Sequence, residues 1–255
     1  MIASTLRLYV DAFSDASRAF ARSAWGLGWL LLSFVCLLIA GMLVSPLGMV
    51  GGFVLGIAQA FAAGVYLGCL QDALAVHRPM GWDLVRGNFG RYMWDILNVL
   101  FPLWIVDLVV GFARVPLLGT IVGIAIFLFL NPVPEMIGRV RSGGTELLGE
   151  AWSFMGRAGP EWLVPQVLFA GGAWALLPGM GLDTLVRATA VFSPRMGFMD
   201  AGGLGVQALG TTGGVVRAVG LVALVHLAML FRGALYGRLE GSSRRGRAWA
   251  ERGGR

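Results

Sequence analysis

Apolar residues are gathered in six long runs along the chain, separated by short polar or glycine- and proline-containing segments. A helix needs about 20 apolar residues to cross the hydrocarbon core of a bilayer, and four of the runs reach that length alone. The other two need their proline- or glycine-containing ends as well. The pattern predicts an all-α, polytopic membrane protein with about six spans, over residues 25–44, 47–70, 94–113, 117–130, 162–177 and 215–236.

A different pattern precedes the first, third and fifth of these spans. Apolar residues recur there at intervals of three, four and seven, with charged residues on the opposite face, which is typical of an amphipathic helix. Beside a membrane, such a helix is expected to lie in the interface plane. The predicted apolar stripes are Leu6, Tyr9, Val10, Phe13 and Phe20; Trp82, Val85, Phe89 and Met93; and Leu147, Leu148, Ala151, Trp152 and Met155.

The unit of interfacial helix, span, turn and second span is thus expected three times, over residues 5–70, 80–137 and 145–236. In each unit a late aromatic residue precedes a tryptophan at the start of the span, as Phe20 precedes Trp25. Self-similarity of this kind indicates that one supersecondary unit was triplicated. We treat residues 1–240 as a single membrane domain, with an outer loop at 178–214 and a basic cytoplasmic tail at 241–255.

The composition supports the membrane prediction. Hydrophobic residues make up 57% of the chain and charged residues 13%, and the mean hydropathy is +0.75. Soluble domains carry about twice that share of charge. The basic residues are all arginine, and most of them flank the spans at one side: before the first, between the second and third, between the fourth and fifth, and after the sixth. The positive-inside rule then predicts that both termini are cytoplasmic.

The three interfacial segments also carry a resemblance. "AFSDASRAFARSAWGLGWLL", "GWDLVRGNFGRYMWDIL" and "ELLGEAWSFMGRAGPEWLVP" resemble the corresponding parts of bacterial six-span membrane proteins related to the membrane domain of some glycerophosphodiester phosphodiesterases. The resemblance covers about residues 12–236 and rests on pattern. It implies a six-span fold in a bacterial cytoplasmic (inner) membrane, but no agreed activity, and this chain has no phosphodiesterase domain.

Two ionisable residues inside predicted spans are candidate functional groups, because a charge in lipid costs several kcal/mol. Asp107 lies in the third span and His226 near the middle of the sixth. At similar depth they could form a proton relay or a substrate-binding pair. Alternatively, Asp107 pairs with Arg114 or stays protonated, and His226 makes a hydrogen bond across a helix contact.

The segment Asn131-Pro132-Val133-Pro134-Glu135 interrupts the fourth span at its cytoplasmic end. Proline removes a backbone donor and clashes one turn back, so two prolines this close predict the end of a helix. A broken helix that binds a cation with its freed carbonyls is the alternative. We expect water to satisfy the freed groups, and Glu135 to form an exposed pair with Arg139 four residues on.

The outer loop and the tail are expected at opposite membrane surfaces. Residues 182–192 of the loop have helical spacing, which predicts a short surface helix that serves as a docking surface or lid, or is a tolerated insertion. In the tail, Arg244, Arg245 and Arg247 are expected to contact anionic lipid headgroups. The tail lacks the aromatic platforms that nucleic-acid binding requires, so no nucleic-acid partner is expected.

The sequence contains no recognisable catalytic constellation, and no cofactor or metal is expected. Cys36 and Cys69 lie in apolar runs without a partner spacing and are interpreted as small hydrophobic residues. We therefore expect a non-enzymatic scaffold or accessory subunit that packs against other membrane proteins. The alternative is a transporter or channel for a small or amphiphilic solute, with Asp107 and His226 lining its path.

Overall fold

The computed structural model describes residues 2–75, 81–139, 144–177, 199 and 213–240. Within these ranges the regular structure is entirely helical, and a 3₁₀ turn, Ser45–Leu47, joins the second helix to the third. The α-helices are α1 (Ile2–Arg22), α2 (Ala24–Val44), α3 (Met49–Ala75), α4 (Trp82–Gly87), α5 (Met93–Ala113), α6 (Pro116–Leu130), α7 (Val133–Met136), α8 (Thr145–Leu176) and α9 (Gly214–Leu239).

Five segments in the described ranges are long and apolar enough to cross a membrane: Trp25–Leu47, Met49–Ala75, Met93–Ala113, Leu117–Met136 and Gly214–Leu239. The predicted all-α, polytopic membrane fold is therefore confirmed. The remaining predicted span, 162–177, is not a helix of its own. It forms the second half of α8, and the interfacial helix predicted before it is the first half of that same helix.

Helix α8 stays continuous although Pro160 and Pro165 lie inside it. A proline in a helix leaves the carbonyl four residues earlier without its usual donor. For Pro165 this carbonyl belongs to Glu161, and it accepts a hydrogen bond from the hydroxyl of Tyr9 on α1 (2.9 Å). A tertiary contact thus replaces the missing helical bond, and α8 continues through Pro165.

Helices α3 and α9 form the centre of the bundle. The apolar windows of α3 and α9 are 56% and 50% buried, whereas those of α2 and α5 are 11% and 17% buried. Helix α9 packs against α1, α2, α3, α7 and α8, and α3 packs against α1, α2, α4 and α5. Helices α2, α5 and α6 therefore present most of their apolar side chains outward, which is the arrangement that lipid permits.

Helix α1 packs with a different face from the one its large apolar residues define. Leu8, Ala12, Ala16 and Ala19 are buried, and α1 lies against α9. Small side chains let two helix backbones approach closely. The predicted stripe points outward at Leu6 and Val10, which are 62% and 60% exposed. An outward apolar stripe of this kind fits a helix in the membrane interface.

The other two amphipathic segments divide their apolar stripes between the bundle and its surroundings. Val85 of α4 is buried, while Trp82 stays exposed. In α8, Leu147 and Ala151 are buried. The exposed ring of Trp152 stacks on the ring of Phe129, with 4.0 Å between the ring centroids. One edge of each predicted stripe therefore packs against the protein core, and the other edge faces the surroundings of the bundle.

The alanine face of α1 generates a stability prediction. Ala16→Leu adds volume where Ala16 is completely buried, so we expect it to lower stability by about 1–3 kcal/mol through overpacking. Ala21→Leu makes the same chemical change on an exposed position of α1 and should leave stability nearly unchanged. Thermal unfolding in detergent measures both; equal melting temperatures would show that this face does not hold α1 against α9.

Candidate functional site

A fully buried ion pair lies in the middle of the helix packing. Nε of Arg232 on α9 donates to Oε1 of Glu135 at 2.6 Å, and Nη2 donates to Oε2 at 2.8 Å. The two side chains are 1% and 3% exposed. Arginine and carboxylate in this two-bond arrangement match in both charge and shape. The pair joins α7 to α9 across 97 residues of sequence.

This geometry corrects the expected exposed pair of Glu135 and Arg139. Helix α6 does end at Leu130, before the two prolines. The chain then turns inward, and the short helix α7 is buried at every residue from Val133 to Met136. Glu135 is therefore shielded from water and bonds Arg232 instead of Arg139. Sequence spacing detects partners one turn away, but it carries no information about a partner on a distant helix.

Two further side chains complete the network around Arg232. Its Nη2 also donates to the backbone carbonyl of Asn131 at 2.6 Å. The indole Nε1 of Trp162 donates to Oδ1 of Asn131 at 2.8 Å, and the Arg232 guanidinium lies 5.4 Å from the centre of the Trp162 ring. Buried polar groups are stable only when they are hydrogen bonded. Here the hydrogen bonds between α8, α9 and the α6–α7 junction satisfy the buried polar groups of all three.

His226 forms a second buried polar cluster on α9. Its Nε2 is hydrogen bonded to Oγ of Ser23 at 2.9 Å, and its Nδ1 to the hydroxyl of Tyr66 at 2.8 Å. Ser23 lies between α1 and α2, and Tyr66 lies on α3. The ring of Phe20 is also close, with its centroid 5.5 Å from that of His226. His226 thus makes hydrogen bonds across helix contacts, as one of the sequence-based alternatives proposed.

The structure does not bring Asp107 and His226 together. Asp107 is exposed on α5, whereas His226 is completely buried. Both ring nitrogens of His226 are already hydrogen bonded to Ser23 and Tyr66, so neither is available to the Asp107 carboxylate. The proposed pair therefore has no direct contact through which a proton could pass.

A cavity of about 520 Å³ with several charged side chains in its walls, which we call the arginine basin, opens where α3 and α9 end and α5 begins. Asp15 on α1 and Asp72 on α3 are its carboxylates. Asp15 pairs with Arg18 at 2.7 Å and with Arg238, and Asp72 lies 3.8 Å from Arg91. Among the described residues, the charged side chains that line the basin are Asp15, Arg18, Arg22, Asp72, Arg91 and Arg139.

The Asp15 carboxylate links α1 to the end of α9. Partial burial opposes its ionisation, but hydrogen bonds from Arg238 and then Arg18 outweigh burial and hold the pKa of Asp15 below its ordinary value. A carboxyl with a lowered pKa stabilises the folded state above its unfolded pKa. This contribution is lost as the pH falls through the lowered pKa, so the α1–α9 contact weakens only in acid.

Sequence reasoning missed Arg232, the residue at the centre of the largest buried network. Arg232 lies inside the apolar run 215–236, so the rule that singled out His226 applies to it as well. The partners Asn131, Glu135 and Trp162 carry no such signal, because each looks ordinary in its own segment. In the described part of the chain, no group of three or more acidic, cysteine or histidine side chains is arranged to hold a metal ion.

Comparison with protein-family models, with curated proteins and with solved structures gives no match to this chain. The resemblance to bacterial six-span proteins, and the threefold repetition that accompanies it, stay predictions. Arg244, Arg245 and Arg247 of the basic tail lie outside the described residues, as does the outer loop 178–214 apart from residues 199, 213 and 214. The expected lipid contacts of the tail therefore also stay a prediction.

The buried ion pair predicts a large effect of removing one partner. Glu135→Ala leaves the Arg232 guanidinium buried without its counter-charge, so we expect a loss of about 3–5 kcal/mol in the free energy of unfolding. Glu146→Ala, which removes an exposed carboxylate from α8, is the matched control. Chemical unfolding in mixed micelles measures the difference.

The double variant Glu135→Leu with Arg232→Met tests whether the loss in Glu135→Ala comes from the unpaired charge of Arg232. Replacing both buried charges with apolar groups of similar size should recover most of the loss. A Glu135→Ala protein as stable as the Glu146→Ala control would contradict the importance of the pair.

The His226 cluster predicts that Gly26 on α2 cannot carry a side chain. A Cβ at Gly26 would overlap the imidazole of His226, whereas a Cβ at Gly28 on the same helix meets no atom within 4 Å. Gly26→Ala should therefore lower the melting temperature, and Gly28→Ala should raise it slightly, because alanine favours a helix over glycine by about 0.5–1 kcal/mol. If both variants gain stability, α2 does not sit on His226 as described.

Proposed function

We propose that the chain is a non-enzymatic membrane scaffold or accessory subunit, a multi-pass protein that packs beside other membrane proteins. The observation that carries this proposal is that the two buried ionisable side chains of α9 are engaged by neighbouring helices, although Ser33, Gln166 and Trp174 keep buried polar atoms without a hydrogen-bond partner among the described residues. Arg232 is occupied by Glu135 and Asn131, and His226 by Ser23 and Tyr66. Groups satisfied in this way hold helices together and leave little capacity for a substrate.

The cavities support the same proposal. The arginine basin lies at one end of the bundle. A second cavity is lined by Gln71, Glu135 and Arg139 among others. Its volume of about 20 Å³ has room for about one water molecule. Neither cavity is lined by Asp107 or His226. The alternative, a transporter with a path along these two residues, stays a prediction without a supporting contact.

The outward faces of the peripheral helices suit a packing role. Phe112 near the end of α5 is 76% exposed, Leu117 at the start of α6 is 67% exposed, and Leu43 of α2 is 74% exposed. Faces of this kind meet lipid tails or neighbouring transmembrane helices. The distribution of arginine supports a bacterial cytoplasmic membrane location with both termini inside, and anionic lipids are the proposed partners of Arg244, Arg245 and Arg247.

The test begins with mild-detergent purification of the tagged full chain from its native membrane. Size exclusion followed by quantitative mass spectrometry should find a membrane protein at a fixed ratio to the chain. Deleting the gene should lower the abundance of that same protein, and both the wild-type chain and Asp107→Asn should restore it. The reciprocal loss distinguishes a true subunit from a protein captured by chance.

Two outcomes would overturn the proposal. One is a chain that elutes alone, or with copies of itself, and retains only lipid. The other is a growth or uptake defect that Asp107→Asn reproduces although the variant is as stable as wild type, since a scaffold has no need of that carboxylate.

A further inference from the structure

The charges of the arginine basin favour an anionic ligand. Among the residues that the structure describes, four arginines and two aspartates line it, so this part of its walls carries an excess of positive charge. Both aspartates are already engaged: Asp15 with Arg18 and Arg238, and Asp72 with Arg91 and Asn88. In the described part of the cavity a cation would find no open carboxylate, whereas an anion would meet arginine on several sides.

Arg139 is the arginine best placed to bind such a ligand. It is half-buried in the turn after α7, and among the described residues no carboxylate forms an ion pair with it. Its guanidinium lies against α9, where a Cβ added to Gly237 would come within 3.1 Å of Nη1. The Tyr236 ring lies below the guanidinium, with 5.7 Å between Cζ and the ring centre.

The surroundings fix this arginine in place. Gly233 and Gly237 are four residues apart on α9 and leave a groove along the helix in which the Arg139 side chain lies. On the opposite side, the Tyr92 hydroxyl donates to Oε1 of Gln71 at 3.0 Å, and Gln71 donates to the carbonyl of Ile137. The wall that presents Arg139 is therefore built from hydrogen-bonded and packed groups, which lowers the entropy lost on binding.

We propose that the arginine basin is a binding site for a phosphate-bearing anion, held chiefly by Arg139 with Arg91 and Arg22 as further cations. The planar guanidinium donates two parallel hydrogen bonds to phosphate oxygens. The volume of about 520 Å³ lies within the range of small-molecule sites. This site goes beyond the scaffold proposal and does not depend on it, because it needs no protein partner.

The position of the basin brings it close to membrane headgroups. It is lined in part by α1, whose Leu6, Val10 and Phe13 face outward as in an interfacial helix. A phosphate can reach this level as a phospholipid headgroup or as a soluble phosphate compound. The chemistry recognised by the arginines is the same for both sources.

The experiment is a titration of the purified full chain in a neutral detergent with three probes. These are inorganic phosphate, short-chain phosphatidylglycerol, and short-chain phosphatidylcholine as the zwitterionic control. We expect the chain to bind phosphate, phosphatidylglycerol or both, and to bind phosphatidylcholine more weakly. Binding of phosphatidylglycerol alone identifies a headgroup site, and binding of phosphate alone identifies a soluble ligand; either result supports the proposal.

Matched variants locate the binding. Arg139→Gln should lower the affinity for whichever anionic probe binds by roughly tenfold or more, which is the effect of losing one charge-assisted hydrogen bond. Arg157→Gln removes the same charge from an exposed position of α8 outside the basin and should bind as wild type does. If Arg139→Gln does not fold, Arg91→Gln, at a side chain that is 51% exposed, tests the opposite wall. Equal affinity of the basin and control variants, or no binding of either anionic probe, would overturn the proposal.

Discussion

The buried pair of Arg232 and Glu135 is the constraint on which the rest of the bundle depends. An arginine with 1% exposure in an apolar interior is stable only if its charge is balanced and its donors are satisfied. That requirement pulls α7 inward, places Asn131 beside the guanidinium, and orients Trp162 of α8 toward the same point. Three segments far apart in sequence are therefore held in one arrangement by one charge.

Irregular residues elsewhere make room for contacts between helices. Pro165 leaves a carbonyl of α8 without its helical donor, and the hydroxyl of Tyr9 on α1 donates a hydrogen bond to it. Gly26 of α2 leaves space for the imidazole of His226, and Gly237 of α9 does so for the guanidinium of Arg139. Each of these positions weakens its own helix, by about 1 kcal/mol for a glycine and about 3 kcal/mol for a proline relative to alanine. The loss is offset by a hydrogen bond or a close approach that a regular side chain would prevent.

Arginine has separate roles in the two parts of this molecule. Arg232 in the interior is neutralised and immobile, so it contributes to the stability of the fold. Arg139 and Arg91 at the basin are only partly covered, and their charge is offset incompletely. The difference follows from the solvent around each residue, since a charge in an apolar interior needs an internal partner while one beside water can bind an external anion. In the functions that we propose, a scaffold with an anion-binding end, the two roles are combined.

The sequence by itself determined the all-α membrane fold, because the length and hydropathy of each run decide whether a helix can lie in lipid. It also indicated where α2, α3, α5, α6 and α9 lie. It failed where a residue depends on a distant neighbour. The amphipathic segment and the span predicted at 162–177 form one continuous helix, α8, and Glu135 was expected to pair with Arg139, four residues on, although its partner is Arg232. Local patterns record only nearest-neighbour energies, so the pairing of buried charges and the walls of the basin were decided by tertiary packing alone.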